Sequence, residues 1–345
     1  MGQQSQTCYS HPGSNTAPQG LVTTRFLPSD RPLNIALVIV NFNSGYLLVQ
    51  CLEHVLRQTR APDTILVVDN ASDDKSIEMI NEVPGVSILQ LEENVGFAAA
   101  NNRALDHLSD TDLLVTLNPD AFPAEDFICK LEEAALEHPD HGSFACRMMR
   151  TETTLDGAGD AYHLSGLAWR RGHNKRWNPQ KPYPALTFSA CAGAAMYRVP
   201  DLRAVGGFDE SFFCYMEDVD LGYRLMLAGK PCAFVPEAVA THIGSATSRR
   251  YPGFADFHGH RNLVWVVVKN TPWQLLPLVL PLHFIMTLIV AARFIDGGEL
   301  GNYVKAKRAA LTGLKHALTQ RKEIQRMRKA TAWEVLKGFN YAMWR

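Results

Sequence analysis

Hydrophobic and polar positions alternate between two periods over the first third of the chain. Ile35-Ala36-Leu37-Val38-Ile39-Val40 is an unbroken apolar run rich in β-branched residues, and it ends in the polar turn Asn41 to Gly45. That pattern predicts a strand buried on both faces. Leu47, Leu48, Cys51, Leu52, Val55 and Leu56 then fall on one helical stripe. A second buried strand is expected over Thr64 to Val68, ending in Asp69-Asn70-Ala71-Ser72-Asp73-Asp74, and a helix from Ser76 to Asn81. A third strand follows at Val86 to Leu91, a helix at Gly96 to Leu108, and a fourth strand at Asp112 to Leu117, ending in Asn118-Pro119-Asp120. Strands alternating with helices predict an α/β fold with a mainly parallel sheet. Such sheets bind ligands outside the carboxyl ends of their strands, where Asp69, Asp73 and Asp120 fall. This half reads as a nucleotide-binding module.

Periodicity is poor from Arg147 to Pro184, which reads as a loop-rich connection. Regular structure is expected again over Leu186 to Val199, and a helix over Glu217 to Ala228 with Leu221, Leu225 and Leu227 available for burial. Leu275 to Ala292 is a stretch of 18 residues without Lys, Arg, Asp or Glu. It reaches the lower end of membrane-spanning length. Pro277 and Pro281 each remove a backbone hydrogen bond, so an in-plane or re-entrant membrane contact is favoured over a straight span or a buried core helix. Residues 1–33 are rich in Ser, Thr, Gln, Pro and Gly and read as a flexible tail without an apolar leader segment.

The 345 residues are 46% hydrophobic and 20% charged, which excludes a disordered chain, a collagen-like repeat and a disulfide miniprotein. The net charge of −1 hides an asymmetry. From Gly301 to Arg345 there are 11 Lys or Arg against two acids, so a tail of +9 follows a body of −10. A basic tail after an apolar segment suits an anionic membrane surface. It lacks the aromatic–basic module of a nucleic-acid binder, and no nucleic-acid partner is expected. Seven scattered cysteines with no C-x-x-C pair read as reduced thiols in the cytoplasm.

Four groups of residues are candidates for chemistry. Asp69, with Asn70 and Ser72, ends a strand and could accept hydrogen bonds from a base or ribose, although these residues are also ordinary turn formers. Asp120 offers a hard oxygen ligand to magnesium or manganese, with Asn118 a neutral oxygen at best. Glu217, Asp218 and Asp220 open a helix, where they could simply complement its dipole. They could equally supply a general base beside a bound diphosphate. His242, in Thr241-His242-Ile243-Gly244-Ser245-Ala246-Thr247-Ser248, could bind a divalent metal.

As an ordered set these pieces resemble glycosyltransferase family 2, in the branch of bacterial rhamnosyltransferase-like enzymes of cell-surface polysaccharide synthesis. The resemblance covers roughly residues 34–270. It rests on Val40-Asn41-Phe42-Asn43 with Leu52 and Gln58, on Val68 to Asp73, on Asn94-Val95-Gly96-Phe97 through Asn101-Asn102, and on Leu117-Asn118-Pro119-Asp120. It continues through Gly193 to Met196, Gly206 to Phe213, Glu217 to Asp220, and His242. It implies a GT-A fold with a nucleotide-sugar half (34–146) and an acceptor half (147–270), followed by an apolar helix and basic helical tail (271–345).

The resemblance also implies a metal-dependent, inverting transfer from a nucleoside-diphosphate sugar. Asn41, Asn43, Asp69, Asn70, Asn94, Gly96, Asn101 and Asn118 would then serve the nucleotide sugar, Asp120 and His242 a magnesium or manganese ion, Asp218 as base and Glu217 beside it. The first acid of the family's Asp-x-Asp motif is Asn118 here. The Gln-x-x-Arg-Trp signature of processive members is missing, and the comparable region reads His260-Arg261-Asn262-Leu263-Val264-Trp265. A single-addition enzyme is therefore expected, at the cytoplasmic face of the plasma membrane. Its donor is expected to be dTDP-rhamnose, and its acceptor a polyprenyl-diphosphate-linked glycan. The alternatives are another UDP- or GDP-sugar, or an inactive membrane scaffold of the same fold. A nucleotidyltransferase would show a Gly-rich basic loop after the first strand, and the turn Asn41 to Gly45 has neither feature.

Overall fold

A computed structural model describes residues 31–180, 183–244 and 251–342. In chain order its first half comprises β1 (Ile35–Asn41), α1 (Tyr46–Leu56), β2 (Thr64–Asp69), β3 (Val86–Gln90), α2 (Phe97–Asp106), β4 (Leu113–Leu117), β5 (Ala121–Pro123), α3 (Phe127–Glu137) and β6 (Ser143–Met149). There follow β7 (Leu155–Gly157), β8 (Asp160–Tyr162), β9 (Ala168–Arg170), β10 (Leu186–Thr187), β11 (Ala194–Arg198), α4 (Val199–Ala204), α5 (Glu217–Leu227) and β12 (Cys232–His242). Five helices close the described chain: α6 (Phe254–Asn270), α7 (Leu276–Asp296), α8 (Leu300–Thr312), α9 (Leu314–Met327) and α10 (Ala332–Gly338).

The main sheet runs β10-β12-β6-β11-β4-β1-β2-β3, with β5 added beside β12 and β7 beside β6. The β4-β1-β2-β3 part is parallel, as the alternation of strands and helices predicts. β11 is antiparallel to both of its neighbours and joins this part to the parallel pair β6–β12. Strand geometry sends successive side chains to opposite faces. Ile35, Leu37 and Ile39 therefore enter one core with Leu48, Leu52, Phe127 and Leu131 of α1 and α3. Ala36, Val38 and Val40 enter the other, with Ala104, Leu202 and Leu225 of α2, α4 and α5. Truncating fully buried Leu37 to Ala would cost about 2–5 kcal/mol. A third cluster, with Tyr162, Phe212, Tyr223, Trp265, Val266 and Ile324, packs the C-terminal helices against β8 and α5.

Two sequence expectations are corrected. The helix expected from Ser76 to Asn81 is only a 3-10 turn, Glu78–Ile80, because Ser76 is drawn into the turn by its own hydrogen bonds to Asp74. The segment 147–184 is no simple loop. β7 adds to the main sheet and β8–β9 form a separate two-stranded hairpin. Three-residue strands are too short to display a period.

Candidate active site

The carboxyl ends of β1, β2 and β4 and the end of β12 converge on one cavity of about 570 Å³. Its lining includes Asn70, Asn94 and Gly96 from the first half, and Asn118 and Asp120 after β4. Glu217 and Asp218 reach it from α5, His242 from β12, and Asp160, Trp169 and Arg170 from the β8–β9 hairpin.

The Asn70 amide donates to Asn94 Oδ1 at 2.9 Å, and Asn70 Oδ1 accepts from the Val95 N–H at 2.9 Å. The Gly96 N–H donates to the same Asn94 oxygen at 3.0 Å. Gly96 has φ +87°, and a Cβ there would stand 2.6 Å from both the ring and the carbonyl of Phe213. Only glycine satisfies the backbone conformation and the close approach together.

Asn41, Asn43, Asp69 and Asn101 are not among the lining residues. Fully buried Asn41 donates to Asp69 Oδ1 (3.0 Å), Ser72 Oγ (3.0 Å) and Ser76 Oγ (2.9 Å), tying together the turns after β1 and β2. Asn43 Oδ1 accepts from the Asp73 N–H at 2.9 Å, and Asn101 donates to Phe97 O one helical turn back at 2.9 Å. These side chains shape the wall from behind.

His242 sits between two carboxylates. Its Nδ1 lies 2.8 Å from Asp156 Oδ2, and its Nε2 lies 3.2 Å from Asp120 Oδ1. That Nε2 is buried and faces the Asp120 carboxylate. Burial alone would lower the imidazole pKa, but Asp120 and Asp156 outweigh it and raise it. Burial likewise works to raise Asp156, while His242 and the guanidinium of Arg170, which donates to Asp156, hold it below its usual range. A hard carboxylate oxygen beside an imidazole nitrogen whose far side is fixed by a second carboxylate suits a divalent ion. Among the described residues no cluster of three or more His, Cys, Asp or Glu could hold a metal. Ser245 to Ser248 lie outside the described residues.

The acids at the start of α5 divide by helical position. Buried Glu217 and half-buried Asp218 reach the cavity, whereas Asp220 turns into the protein. Asp220 accepts from Arg224 Nε (2.8 Å) and Asn270 Nδ2 (2.8 Å), and its Oδ1 lies 3.0 Å from Lys269 Nζ. Glu217 Oε2 is buried without a partner, and burial together with Asp218 pushes its pKa well up. Burial also raises Asp218, against the N–H groups of Ala192 (3.2 Å) and Val219 (2.8 Å) and the charge of Arg170. Asp160, accepting from Ser189 Oγ at 2.8 Å, is pushed up to about 7 by burial and by Asp218. The loop leading into α5 holds three non-glycine residues at positive φ: Phe213 (64°), Tyr215 (69°) and Met216 (66°). Such conformations cost about 1–3 kcal/mol each and cluster at functional sites.

Asp156, Asp160 and Arg170 were missed by sequence reasoning. The available signal was a concentration of acids, arginines and Trp169 within a glycine-rich stretch.

Residues 36–206 match the model of the family described as glycosyl transferase family 2. The chain is 26% identical over 271 residues to the N-acetylglucosaminyl-diphospho-decaprenol L-rhamnosyltransferase of Mycobacterium tuberculosis, covering 71% of this chain and 87% of that one. It is 23% identical over 235 residues to the O-antigen chain rhamnosyltransferase RfbN of Salmonella typhimurium, covering 66% and 73%. In fold it is similar to the mannosyltransferase PcManGT from Pyrobaculum calidifontis, solved with GDP-Man and Mn²⁺. The TM-score there is 0.53 at 16% identity, over 90% of this chain and 88% of that one.

Proposed function

Because the chain belongs to glycosyl transferase family 2 and has a GT-A-type α/β fold, we propose that it transfers a single sugar, with inversion, from a nucleoside-diphosphate donor to a lipid-linked glycan. The observation that carries this reading is the meeting, in one cavity, of the Asn70–Asn94–Gly96 wall, the Asp120–His242 pair and the two raised carboxyls Glu217 and Asp218. Asp218 takes the proton of the acceptor hydroxyl as that oxygen bonds to the anomeric carbon, and the bond from that carbon to the diphosphate oxygen breaks. The nucleoside diphosphate leaves with the bonding electron pair, and attack from the opposite face inverts the anomeric configuration. Glu217, next to Asp218 and without a partner for Oε2, orients the acceptor. Asn70, Asn94 and Gly96 form the donor end, with Asp69 behind them.

Asp120 and His242 would hold a magnesium or manganese ion. When bound, such an ion supplies positive charge against the negative charge of the departing diphosphate. Asp156 fixes the His242 ring so that Nε2 faces Asp120.

The names of the relatives favour rhamnose as the sugar and a polyprenyl-diphosphate-linked glycan as the acceptor; dTDP is our own choice of carrier. α7 fits that acceptor. Within Trp273–Ile295 an 18-residue stretch has a mean hydropathy of 2.3, and 22% of it is buried. Val279, His283, Met286 and Val290 form one stripe turned into the protein, while Leu278, Phe284, Ile285, Leu288 and Ile289 are exposed. A helix docked along one side and apolar on the other supports an in-plane contact with the cytoplasmic leaflet.

The test is donor cleavage by the purified chain, using dTDP-, UDP- and GDP-sugars with Mg²⁺ or Mn²⁺, scored for released nucleoside diphosphate. Release from dTDP-rhamnose that stops with EDTA is the expected result. Release from another donor reassigns the sugar, and absence of both release and nucleotide binding by calorimetry supports an inactive scaffold.

A further inference from the structure

The helix that follows the sheet runs alongside the segment carrying the proposed base. Asn262, fully buried in α6, donates from Nδ2 to the carbonyls of Phe212 (3.0 Å), Cys214 (3.0 Å) and Tyr215 (2.7 Å). The other end of the same carboxamide accepts from Arg261 Nε at 2.8 Å, which fixes the amide with its N–H groups toward the loop. Arg261 Nη2 reaches Ser211 O (3.3 Å) and Phe212 O (2.8 Å). Five contacts to backbone carbonyls thus come from two adjacent residues. They fall on the stretch whose Phe213, Tyr215 and Met216 occupy the left-handed region without being glycine. Such a loop relaxes unless its surroundings hold it. Farther along α6, Asn270 holds Asp220. On the loop's other side, the Ala98 N–H of α2 donates to Phe213 O at 3.2 Å.

We propose that Asn262 is a positioning residue for catalysis: by clamping three carbonyls of the left-handed loop, it fixes the direction from which Glu217 and Asp218 enter the cavity. Arg261 sets the orientation of that clamp. The proposal rests on the reading of Asp218 as the base. Three-carbonyl donation needs the amide nitrogen: an Asp at 262 would turn an oxygen toward carbonyl oxygens, and a Gln, one methylene longer, has no free volume at a fully buried site.

The experiment compares full-length wild type with Asn262→Asp, Asn262→Ala and Arg261→Gln by three measurements. These are local hydrogen–deuterium exchange over residues 211–220, calorimetric binding of dTDP and UDP, and turnover of the donor that the wild type cleaves. The Asn262 variants are expected to exchange faster than wild type over 211–220 and at the wild-type rate over β1–β4. Their kcat should fall about 100-fold, the scale of an ångström misplacement, with nucleoside-diphosphate affinity unchanged. Arg261→Gln, partly exposed and less disruptive, should show the same pattern more weakly, and it decides the matter if the Asn262 variants do not fold. Unchanged local exchange overturns the clamp, and faster exchange with unchanged kcat overturns its positioning role. Asp218→Asn is assayed alongside. Full turnover there refutes the base assignment, while the exchange data still judge the clamp.

Discussion

Asp156 Oδ2 stands 2.8 Å from His242 Nδ1, on the side of the ring opposite Asp120. A carboxylate in that place sets the tautomer and orientation of an imidazole that ligates a metal, and losing it typically costs 10–100-fold in metal affinity. Asp156→Asn is therefore expected to weaken Mn²⁺ binding by roughly that factor, read by titration of the metal with the nucleoside diphosphate present. Unaltered Mn²⁺ affinity would argue that His242 is no ligand.

Asp218→Asn removes the proposed base but keeps its shape and its acceptor oxygen for a backbone N–H. Turnover should drop by about 10²–10⁴-fold while donor-nucleotide affinity is retained. Calorimetry and steady-state kinetics on one preparation separate the two quantities.

The raised carboxyls fix the sign of the pH dependence. Burial holds Glu217 and Asp218 protonated above the ordinary carboxylate range, so the acid limb of the rate profile should lie above the limb of an exposed carboxylate. Stability depends on pH through Asp160, whose pKa is raised from 3.8 to about 7 by burial and by Asp218. A group raised by folding contributes stability below its unfolded pKa that is lost as pH climbs through the folded one. Asp160→Asn should therefore flatten the stability curve between about pH 4 and 7. Urea midpoints across that window test it, and a parallel pair of curves would rule it out.

Lys269 is buried against Asp209 and Asp220, joining α6 to the segment before α5 and to α5 itself. Its charge holds Asp209 down to about 2, in spite of burial. Lys269→Met leaves buried Asp209 without its lysine, while Asp220 keeps Arg224, at a cost on the order of 3–5 kcal/mol. Chemical denaturation of the variant should show that loss.

On the exposed side of α7, Phe284→Asp with Leu288→Asp should abolish cosedimentation with vesicles containing phosphatidylglycerol, leaving donor cleavage in solution intact. Exposed Lys305, Arg308, Lys315 and Lys322 on α8 and α9 add a salt-dependent share. Wild-type binding to neutral and anionic vesicles should therefore differ most at low ionic strength.

The parallel half of the sheet was legible because β1, β2 and β4 are continuous apolar runs that end in polar turns. The site's first half was legible for the same reason, since Asp120 follows such a run directly. Asp156 and Asp160 were not, because β7 and β8 are three residues long and owe their place to pairing with β6 and β9. Motif membership also failed to separate lining from bracing. Gln58, quoted with the first motif, is buried and joins α1 to the start of α3 through Ala124 O (2.6 Å) and the Ile128 N–H (3.0 Å). Asn41 braces in the same way. The division of Glu217 and Asp218 from Asp220 depends on which helix packs beside α5, and no local pattern encodes it.

The contact of Gly96 with Phe213 bears on how this protein could acquire a new donor preference. Position 96 lies on the proposed donor wall, yet any added carbon there strikes the loop that leads to Glu217 and Asp218. Recognition and turnover are thus joined at a shared boundary with no slack. Variation that retunes the donor must enter elsewhere on the wall, and directed evolution of specificity should leave this position untouched while it accepts changes at Asn70 or Asn94.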